Sequence, residues 1–442
     1  QRAAYIMGKF LSDFTAEAAD ASGQEYTRNH EFQLIGLVPG ERNEVTLTMT
    51  GTWGTTRQVV RFSVDMPETS SGYSTRLEVT EGSSDQPQAE GLFAMMRVNG
   101  YLGYGFFFDD DGVMRYEMVL EGYGFDRLLF DGDEILTCVS SSKLARIDGL
   151  GRVTRIYTLD GYDLHHDIGY GAEGELLALA EEVGGETVED RLLSIDLETG
   201  EVTQLLDFSQ LMEPYFEMTR KVGPTDDFFW QAGEWDWLHL NSLQYMPEDD
   251  SLIVSSRETS AIIKVKGLHS QPELDWLAGD ERFWQDTPYA GLCLTQEGDF
   301  VPQYGQHCVE YLADGEEDGV YYLAVYNNNY WSLNSRDFTL EVADSVGTGL
   351  YLTNDETSQV YVYRIDENNR TFALEDSFDV PYSSIVSNGS QCGDQGNWVV
   401  NSGVAMVFGE YDADGELIRE YAYECTMQNY RTFKYEMNIW FR

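Results

Sequence analysis

Short apolar stretches separated by polar turns run along almost the whole chain. In EVTLTMTGTWGTTRQVVRFSV, residues 44–64, hydrophobic and polar positions alternate on both sides of a Gly-containing turn. This two-residue period is that of a strand with one buried face, so it predicts antiparallel β structure. Helix is predicted only over 8–20 and as a short turn over 209–218.

From about residue 93 onward, a unit recurs that consists of a strand, a polar turn and a second strand. It is clearest in LARIDGLGRVTRIYTL at 144–159 and LLSIDLETGEVTQLLDF at 192–208, and more divergent copies bring the number to six. Five copies follow an apolar strand: EILTCVSSS, ELLALAEE, SLIVSSR, LYLTND and NWVVNSG. YYLAVYNN at 321–328 has no clear partner. Such units are typical of a β-propeller, because one blade cannot bury both of its faces alone.

The sequence therefore predicts an all-β fold with two domains. The segment 69–91 is rich in Ser, Gly, Thr and Pro and separates them. Residues 1–92 are predicted as a small N-terminal β-sandwich-like domain. Residues 93–442 are predicted as a six-bladed β-propeller that carries the catalytic site.

The charge balance narrows the classes of partner. The chain has 28 Lys and Arg against 77 Asp and Glu, which gives a net charge of −49. A protein this acidic repels the phosphate backbone, so nucleic acid is not expected as a partner. No apolar run of 18 residues is present, and no membrane span is predicted.

Three polar residues occupy matched positions in successive repeats. Aligning 167–170 with 242–245 and 308–311 places His166, Asn241 and His307 at one equivalent position. The innermost strands of a propeller converge on the central channel, so we expect these side chains to meet there. His239 precedes Asn241 by two residues and faces the same side of an extended strand.

Two further residues border this set. Adjacent strand residues face opposite ways, so only one of His165 and His166 can point into the channel, and the alignment selects His166. Arg257 follows the apolar strand of the repeat that carries His239, in a stretch with few other basic residues. An arginine there can present a fork of donors to an anion.

The histidine motifs resemble those of the bacterial arylsulfate sulfotransferases. The resemblance rests on LHHDI, on DWLHLNSLQY followed by SSR, and on GQHCVEYL followed by YLAVYNN, and it covers nearly the whole chain. It implies ping-pong transfer of a sulfuryl group from a phenolic sulfate ester to a phenol through a sulfohistidine on His307. It also implies that His166, His239 and Arg257 hold the sulfuryl oxygens and move protons.

The resemblance carries further expectations about substrate and setting. Asn241 and His165 are expected to bind substrate, and phenol rings are expected to lie against Tyr304 and Tyr326. No cofactor and no metal are expected. The partners are a small-molecule aryl sulfate donor and a phenolic acceptor, and a homo-oligomer is left open. A periplasmic or secreted location is expected, with a signal peptide already removed.

Two other functions are compatible with the residues alone. A propeller hydrolase would bind a divalent ion through histidine, asparagine and carboxylates such as Asp167. A non-catalytic binding module would hold a partner on the propeller face or the N-terminal domain.

Overall fold

The N-terminal part of the chain contributes one small antiparallel sheet. The computed structural model describes residues 5–7, 34–50, 56–120, 127–351 and 356–437. The sheet has the order β1-β2-β3, with β1 at Tyr5–Met7, β2 at Arg42–Thr50 and β3 at Thr56–Asp65. The strands predicted over 44–64 are confirmed as the hairpin β2-β3. The helix predicted over 8–20 lies outside the described residues, and the sandwich-like form of 1–92 stays a prediction.

Six further sheets are arranged as the blades of a β-propeller, as predicted. Their strands are β4 Glu78–Glu81, β5 Leu92–Val98, β6 Tyr104–Phe108, β7 Met114–Val119, β8 Leu129–Asp131, β9 Glu134–Ser140, β10 Lys143–Asp148, β11 Val153–Thr158, β12 Tyr162–Tyr170, β13 Glu175–Glu182, β14 Arg191–Asp196, β15 Val202–Asp207, β16 Leu240–Met246, β17 Ser251–Ser256, β18 Ala261–Lys266, β19 Glu273–Ala278, β20 Thr295–Glu297, β21 His307–Asp314, β22 Val320–Asn327, β23 Ser358–Asp366, β24 Thr371–Val380, β25 Asn388–Cys392, β26 Asn397–Ser402, β27 Val407–Tyr411, β28 Leu417–Ala422 and β29 Asn429–Tyr435.

The two ends of the propeller segment share the first blade. In blade one the C-terminal strand β29 pairs with β5, followed by β6 and β7, so the last strand of the chain closes the ring. Blades two, three and four are β8–β11, β12–β15 and β16–β19 in chain order. Blade five is β21–β24 with β20 added in parallel to β24, and blade six is β25–β28 with β4 at its outer edge.

The repeats identified in the sequence are the outer hairpins of the blades. The unit at 144–159 forms β10-β11 and the unit at 192–208 forms β14-β15. LYLTND at 350–355 lies mostly outside the described residues, so the strand predicted there stays a prediction. YYLAVYNN forms most of β22 and pairs directly with β23. The two strands lie far apart along the chain, so the local pattern showed no clear partner for YYLAVYNN.

Apolar side chains fill the space between neighbouring blades. Leu177 and Leu179 of β13 pack in one cluster with Leu243 of β16 and Val254 of β17, all fully or almost fully buried. Each such leucine stabilises the fold by about 1.5–3 kcal/mol relative to an exposed one. This packing fixes the distance between blades, and with it the positions of side chains on the innermost strands.

Over the described residues, helices are short and lie in the connections between blades. They are α1 Phe208–Leu211, α2 Glu213–Phe216 and α3 Glu281–Trp284, with 3-10 turns at Phe229–Gln231 and Ala290–Leu292. The helical turn predicted over 209–218 corresponds to α1 and α2. In the described parts of the chain, no helix combines the length and apolarity needed to cross a bilayer.

Candidate active site

A cavity of about 280 Å³ lies where innermost strands of the propeller converge. Three of the predicted histidines line it, His166 beside the bulge of β12, His239 just before β16 and His307 at the start of β21. Arg257, directly after β17, lines the same cavity. Its other lining residues are Arg97, Asn99, Leu102, Glu189, Phe228, Trp230, Gln231, Ile385, Val386, Gln428 and Tyr430.

The inner strands make the same contact from blade to blade. The Asp167 carboxylate on β12 accepts a hydrogen bond from the Leu243 backbone N–H on β16, at 3.1 Å. The Ser242 hydroxyl on β16 accepts one from the Val309 backbone N–H on β21, at 2.9 Å. Both hydrogen bonds join positions that the alignment of the repeats relates in the same way, and they hold β12, β16 and β21 side by side at the channel.

Left-handed backbone turns the histidines toward the cavity. His166 has φ of 60° and His239 has φ of 51°, and Cys308, directly after His307, has φ of 52°. The pairing of β12 with β13 shifts register between Leu164 and Ile168, so His166 lies in a bulge. A left-handed L residue costs roughly 1–2 kcal/mol, which the packing around it must offset. The bulge lets His166 line the cavity while its neighbour His165 does not.

Hydrogen bonds fix the tautomer of His307. Asn328 Nδ2 donates to the carbonyl oxygens of Ser383 at 2.7 Å and Val386 at 2.9 Å, so its Oδ1 must face His307. His307 Nδ1 lies 2.7 Å from that oxygen and therefore carries the ring proton. The lone pair then resides on Nε2. Burial holds the pKa of His307 well below its usual value, opposed by the Asn328 hydrogen bond, so the ring is neutral at neutral pH.

His239 has the opposite protonation state. Its Nδ1 lies 2.7 Å from Asp236 Oδ2 and 2.6 Å from Glu189 Oε2. Burial and the nearby Arg257 would lower its pKa, but the two carboxylates outweigh them and raise the pKa to about 9. His239 is therefore an imidazolium at neutral pH, with Nδ1 held by carboxylates and Nε2 left for the cavity.

Arg257 is buried and held on three sides. Its guanidinium lies 3.3 Å from Asp236 Oδ2 and 3.4 Å from Glu258 Oε2, and 4.3 Å from the centre of the Phe228 ring. Glu258 is itself fixed by the backbone N–H of Ser335 at 2.6 Å. These contacts keep a permanent positive charge oriented at the cavity wall, where it suits an anionic group.

His166 completes the ring of imidazoles. Its ring centre lies 4.8 Å from that of His239 and 5.3 Å from that of Tyr430. Its Nδ1 is 2.9 Å from His165 Nδ1, so one of these two nitrogens carries the proton between them. Burial lowers the pKa of His165 to about 4 and that of His166 well below the usual range. Both rings are neutral at neutral pH.

The family model described as arylsulfotransferase (ASST) matches residues 78–440, which is most of the chain. This protein belongs to the arylsulfotransferase family. Membership makes it a sulfotransferase in the general sense, and it confirms the resemblance carried by the histidine motifs. Among curated proteins, none matches the sequence significantly.

Similarity of this arylsulfotransferase to solved structures is weak. A putative 6-phosphogluconolactonase from Bacteroides fragilis has 12% identity and a TM-score of 0.41, and the match covers 89% of this chain and 98% of that one. A virginiamycin B lyase from Staphylococcus aureus has 13% identity and a TM-score of 0.36, with 79% and 89% covered. The site therefore has to be understood from its own residues.

Four residues predicted to bind substrate lie outside the cavity lining of the arylsulfotransferase. Asn241 donates from Nδ2 to the Gln306 carbonyl at 2.8 Å, and His165 supports His166 from behind. The Tyr304 hydroxyl donates to Asp280 at 2.6 Å, and the buried Tyr326 hydroxyl lies 3.1 Å from the Ser402 hydroxyl. Tyr304 and Tyr326 are packing residues, which corrects their predicted role as a support for phenol rings.

Several site residues escaped the sequence reasoning. Glu189 and Asp236 set the charge of His239, and Asn328 sets the tautomer of His307. Asp236 begins the motif DWLHLNSLQY and Asn328 ends the motif YLAVYNN, but neither motif by itself predicts these roles. Glu189 lies outside the motifs, and a loop carboxylate in a chain of such acidity gives no signal of its own. The aromatic cavity residues Phe228 and Trp230 lie in the long connection between β15 and β16, outside the repeat that guided the alignment.

Two groups of side chains near His239 bring their donor atoms close enough together to hold a metal ion. One group is Glu189, Asp236 and His239, and a second is His165, His166 and Glu189, each with donor atoms within 4.8 Å of one another. In the first group both carboxylates lie within 2.7 Å of the same nitrogen, Nδ1 of His239. This arrangement fits an imidazolium between two carboxylates, with the Nδ1 proton donated to Asp236 and Glu189 as a second ion-pair partner.

Proposed function

We propose that this arylsulfotransferase transfers a sulfuryl group from a phenolic sulfate ester to a phenol in two displacements through a sulfohistidine on His307. The observation that carries the proposal is the fixed tautomer of His307, which aims an unprotonated Nε2 at a cavity that also holds a buried arginine and an imidazolium. A neutral imidazole is a competent nucleophile, and its burial keeps it unprotonated across the neutral range.

In the first displacement, His307 Nε2 attacks the sulfur of the aryl sulfate. An N–S bond forms while the bond between sulfur and the phenolic oxygen breaks, and the leaving phenolate takes a proton from His239 Nε2. Arg257 and His166 contact the equatorial sulfuryl oxygens, over which negative charge is spread in the transition state. The enzyme is left with sulfohistidine 307 and neutral His239.

In the second displacement, an acceptor phenol replaces the departed one. His239 takes the phenol proton, the phenolate oxygen attacks sulfur, and the N–S bond breaks. His307 and His239 return to their starting states, so no proton is gained or lost over the cycle. One proton carrier serves both half-reactions because the departing and incoming groups are chemically alike.

Electrostatics support an anionic donor at this place in an otherwise acidic protein. The net charge of −49 repels an aryl sulfate at long range. The cavity lining carries Arg97, Arg257 and protonated His239 against one carboxylate, Glu189, because Asp236 and Glu258 lie outside the lining. Asn241 and His165, which lie behind the lining, act in this proposal as positioning residues for His307 and His166. A location outside the cytoplasm, a homo-oligomer and the domain boundary near residue 92 stay predictions.

The test is to trap the intermediate. The enzyme is mixed with phenyl sulfate in the absence of acceptor and then digested, and the peptides are analysed by mass spectrometry at neutral to alkaline pH. We expect one added SO3 group on the peptide that contains His307, and its loss on addition of phenol.

His307→Gln should abolish the adduct and the transfer. His269→Gln, which removes a surface histidine bonded to Asp250 and Glu175, should retain both. Transfer by His307→Gln at the wild-type rate would exclude the proposal.

A further inference from the structure

Three consecutive aromatic residues line a path from the buried arginine to solvent. Phe228 is 4% exposed and lies against the Arg257 guanidinium. Trp230 lines the cavity and is 52% exposed, and Phe229 is 60% exposed. The Trp230 ring lies 5.0 Å from Phe228 and 5.3 Å from Phe229 between ring centres, both edge to face. The rings therefore form one continuous wall that begins at the anion-binding end of the cavity and ends outside it.

Hydrogen bonds hold this wall in place. The Phe228 backbone N–H donates to Asn334 Oδ1 at 3.1 Å. The backbone N–H of Gln231 donates to the Phe228 carbonyl at 2.9 Å, which closes the 3-10 turn. At the base of the connection, Val222 and Glu234 are joined by a backbone hydrogen bond of 2.9 Å. The exposed rings are thus carried on an ordered support and need little further ordering to receive a ligand.

The exposure of the outer pair has no explanation in packing. Exposing two large aromatic rings forfeits the hydrophobic stabilisation that their burial would give. Among the strongly exposed large hydrophobic residues of the described chain, Phe229 and Trp230 are the adjacent aromatic pair. Their position at the mouth of the catalytic cavity indicates that an aromatic ligand covers them.

We infer that Phe229 and Trp230 form an outer subsite for the second aromatic ring of two-ring phenols. The inference rests on the proposed function, because it takes the inner ring to be the one whose oxygen accepts or donates the sulfuryl group. The reacting ring lies between His307 and Phe228, and a second ring joined to it extends past Trp230 onto Phe229. Substrates of this class gain contact that a single-ring phenol cannot make.

The test compares acceptors of one and two rings. 4-Phenylphenol and phenol are each used as acceptor with 4-nitrophenyl sulfate as donor, and kcat/KM is measured for the acceptor. We expect Phe229→Ala to lower kcat/KM for 4-phenylphenol by about five- to tenfold, in line with the worth of one aromatic pair, and to leave the value for phenol within about twofold. Trp230→Ala should lower both values. Tyr170→Ala, which removes an exposed aromatic ring that is not part of the cavity lining, is the matched control and should change neither.

Direct binding separates this inference from the proposed reaction. Titration calorimetry of the enzyme with 4-phenylphenol, without donor, should give a dissociation constant that Phe229→Ala weakens by about fivefold. If neither the wild-type enzyme nor any variant transfers sulfuryl groups, but this difference in binding is found, the outer subsite is supported and the proposed reaction is excluded. If Phe229→Ala leaves binding of 4-phenylphenol unchanged, or lowers kcat/KM for both acceptors equally, the outer subsite is excluded.

Discussion

The charge of His239 can be tested by removing one of the two carboxylates that flank it. Glu189 is the better choice, because Asp236 also contacts Arg257 and its loss would disturb two residues at once. In Glu189→Gln the side chain keeps its size, and Asp236 still accepts the hydrogen bond from His239 Nδ1. Only the negative charge is lost, so any change in pH dependence reports on electrostatics.

The size of the effect follows from the contact distance. Glu189 Oε2 lies 2.6 Å from His239 Nδ1, which places the two charge centres about 4 Å apart. At an effective dielectric constant of about 20 such a pair is worth about 4 kcal/mol, or about three pH units at 1.36 kcal/mol per unit. The site opens to solvent, so we expect roughly half of this. The pKa of His239, about 9 in the wild type, should fall to roughly 7.5 in Glu189→Gln.

The assay is the pH dependence of kcat/KM for phenyl sulfate, whose leaving phenolate is strongly basic and needs a proton. Because His239 must be protonated for the first displacement, activity should be lost as pH rises through its pKa, near pH 9 in the wild type and lower in Glu189→Gln. With 4-nitrophenyl sulfate, whose phenolate leaves without a proton, the alkaline loss should be much weaker. Glu186→Gln, an exposed residue of the same loop, is the control. An alkaline limb that stays in place in Glu189→Gln, or moves upward, would refute the assignment of His239 as the acid.

Four other perturbations have defined outcomes. Asn328→Ala removes the nearer of the two oxygens that accept from His307 Nδ1, the other being the Gly305 carbonyl at 3.0 Å, so the burst of 4-nitrophenol in a rapid-mixing experiment should slow by about tenfold or more, whereas unchanged burst kinetics would contradict that role. Arg257→Lys keeps the charge but loses the fork of donors, and kcat should fall by roughly 100-fold in steady-state assays. Because the folded protein keeps His165, His166 and His307 neutral while the unfolded chain protonates near pH 6.5, each should cost about 1.4 kcal/mol of stability per pH unit as pH falls below 6.5, measured by urea unfolding at pH 5 and 7. A chelator should leave sulfuryl transfer unchanged, whereas the metal-dependent hydrolase alternative requires that it abolish activity.

Repetition in the sequence is what made the fold predictable. Each blade has the same outer hairpin, so the unit at 144–159 and the unit at 192–208 could be recognised without knowing which strands lie innermost. The same regularity placed His166 and His307 at one channel, because equivalent positions in a propeller converge on its axis. Where the repeat is interrupted the sequence predicts less, because β22 and β23 pair directly although they lie far apart along the chain.

The aromatic residues of the site illustrate a different limit. Tyr304 and Tyr326 are predicted to contact phenol rings because aromatic side chains suit such a ligand, but both hydroxyls are bonded within the packed interior. Phe228 and Trp230, which do line the cavity, lie on a connection whose path over the propeller no local pattern reveals. The sequence alone does not distinguish a tyrosine that packs in a strand from a tryptophan that lines a cavity. Only their positions in the folded protein decide which of them can contact a substrate.

The protonation states of the site histidines are the property that the sequence predicts least. His239 and His307 are both histidines and belong to blades four and five, yet His239 is a cation and His307 is neutral at pH 7. The difference comes from what touches Nδ1, a carboxylate from another blade in one case and an amide oxygen in the other. An asparagine in place of Glu189 would remove one of the two carboxylates at His239, and an aspartate in place of Asn328 would place a carboxylate against His307, without altering any histidine. The motif therefore locates the imidazoles, but the division of labour between nucleophile and acid is set by their neighbours, because charge and hydrogen bonding at one ring nitrogen decide the state of the other.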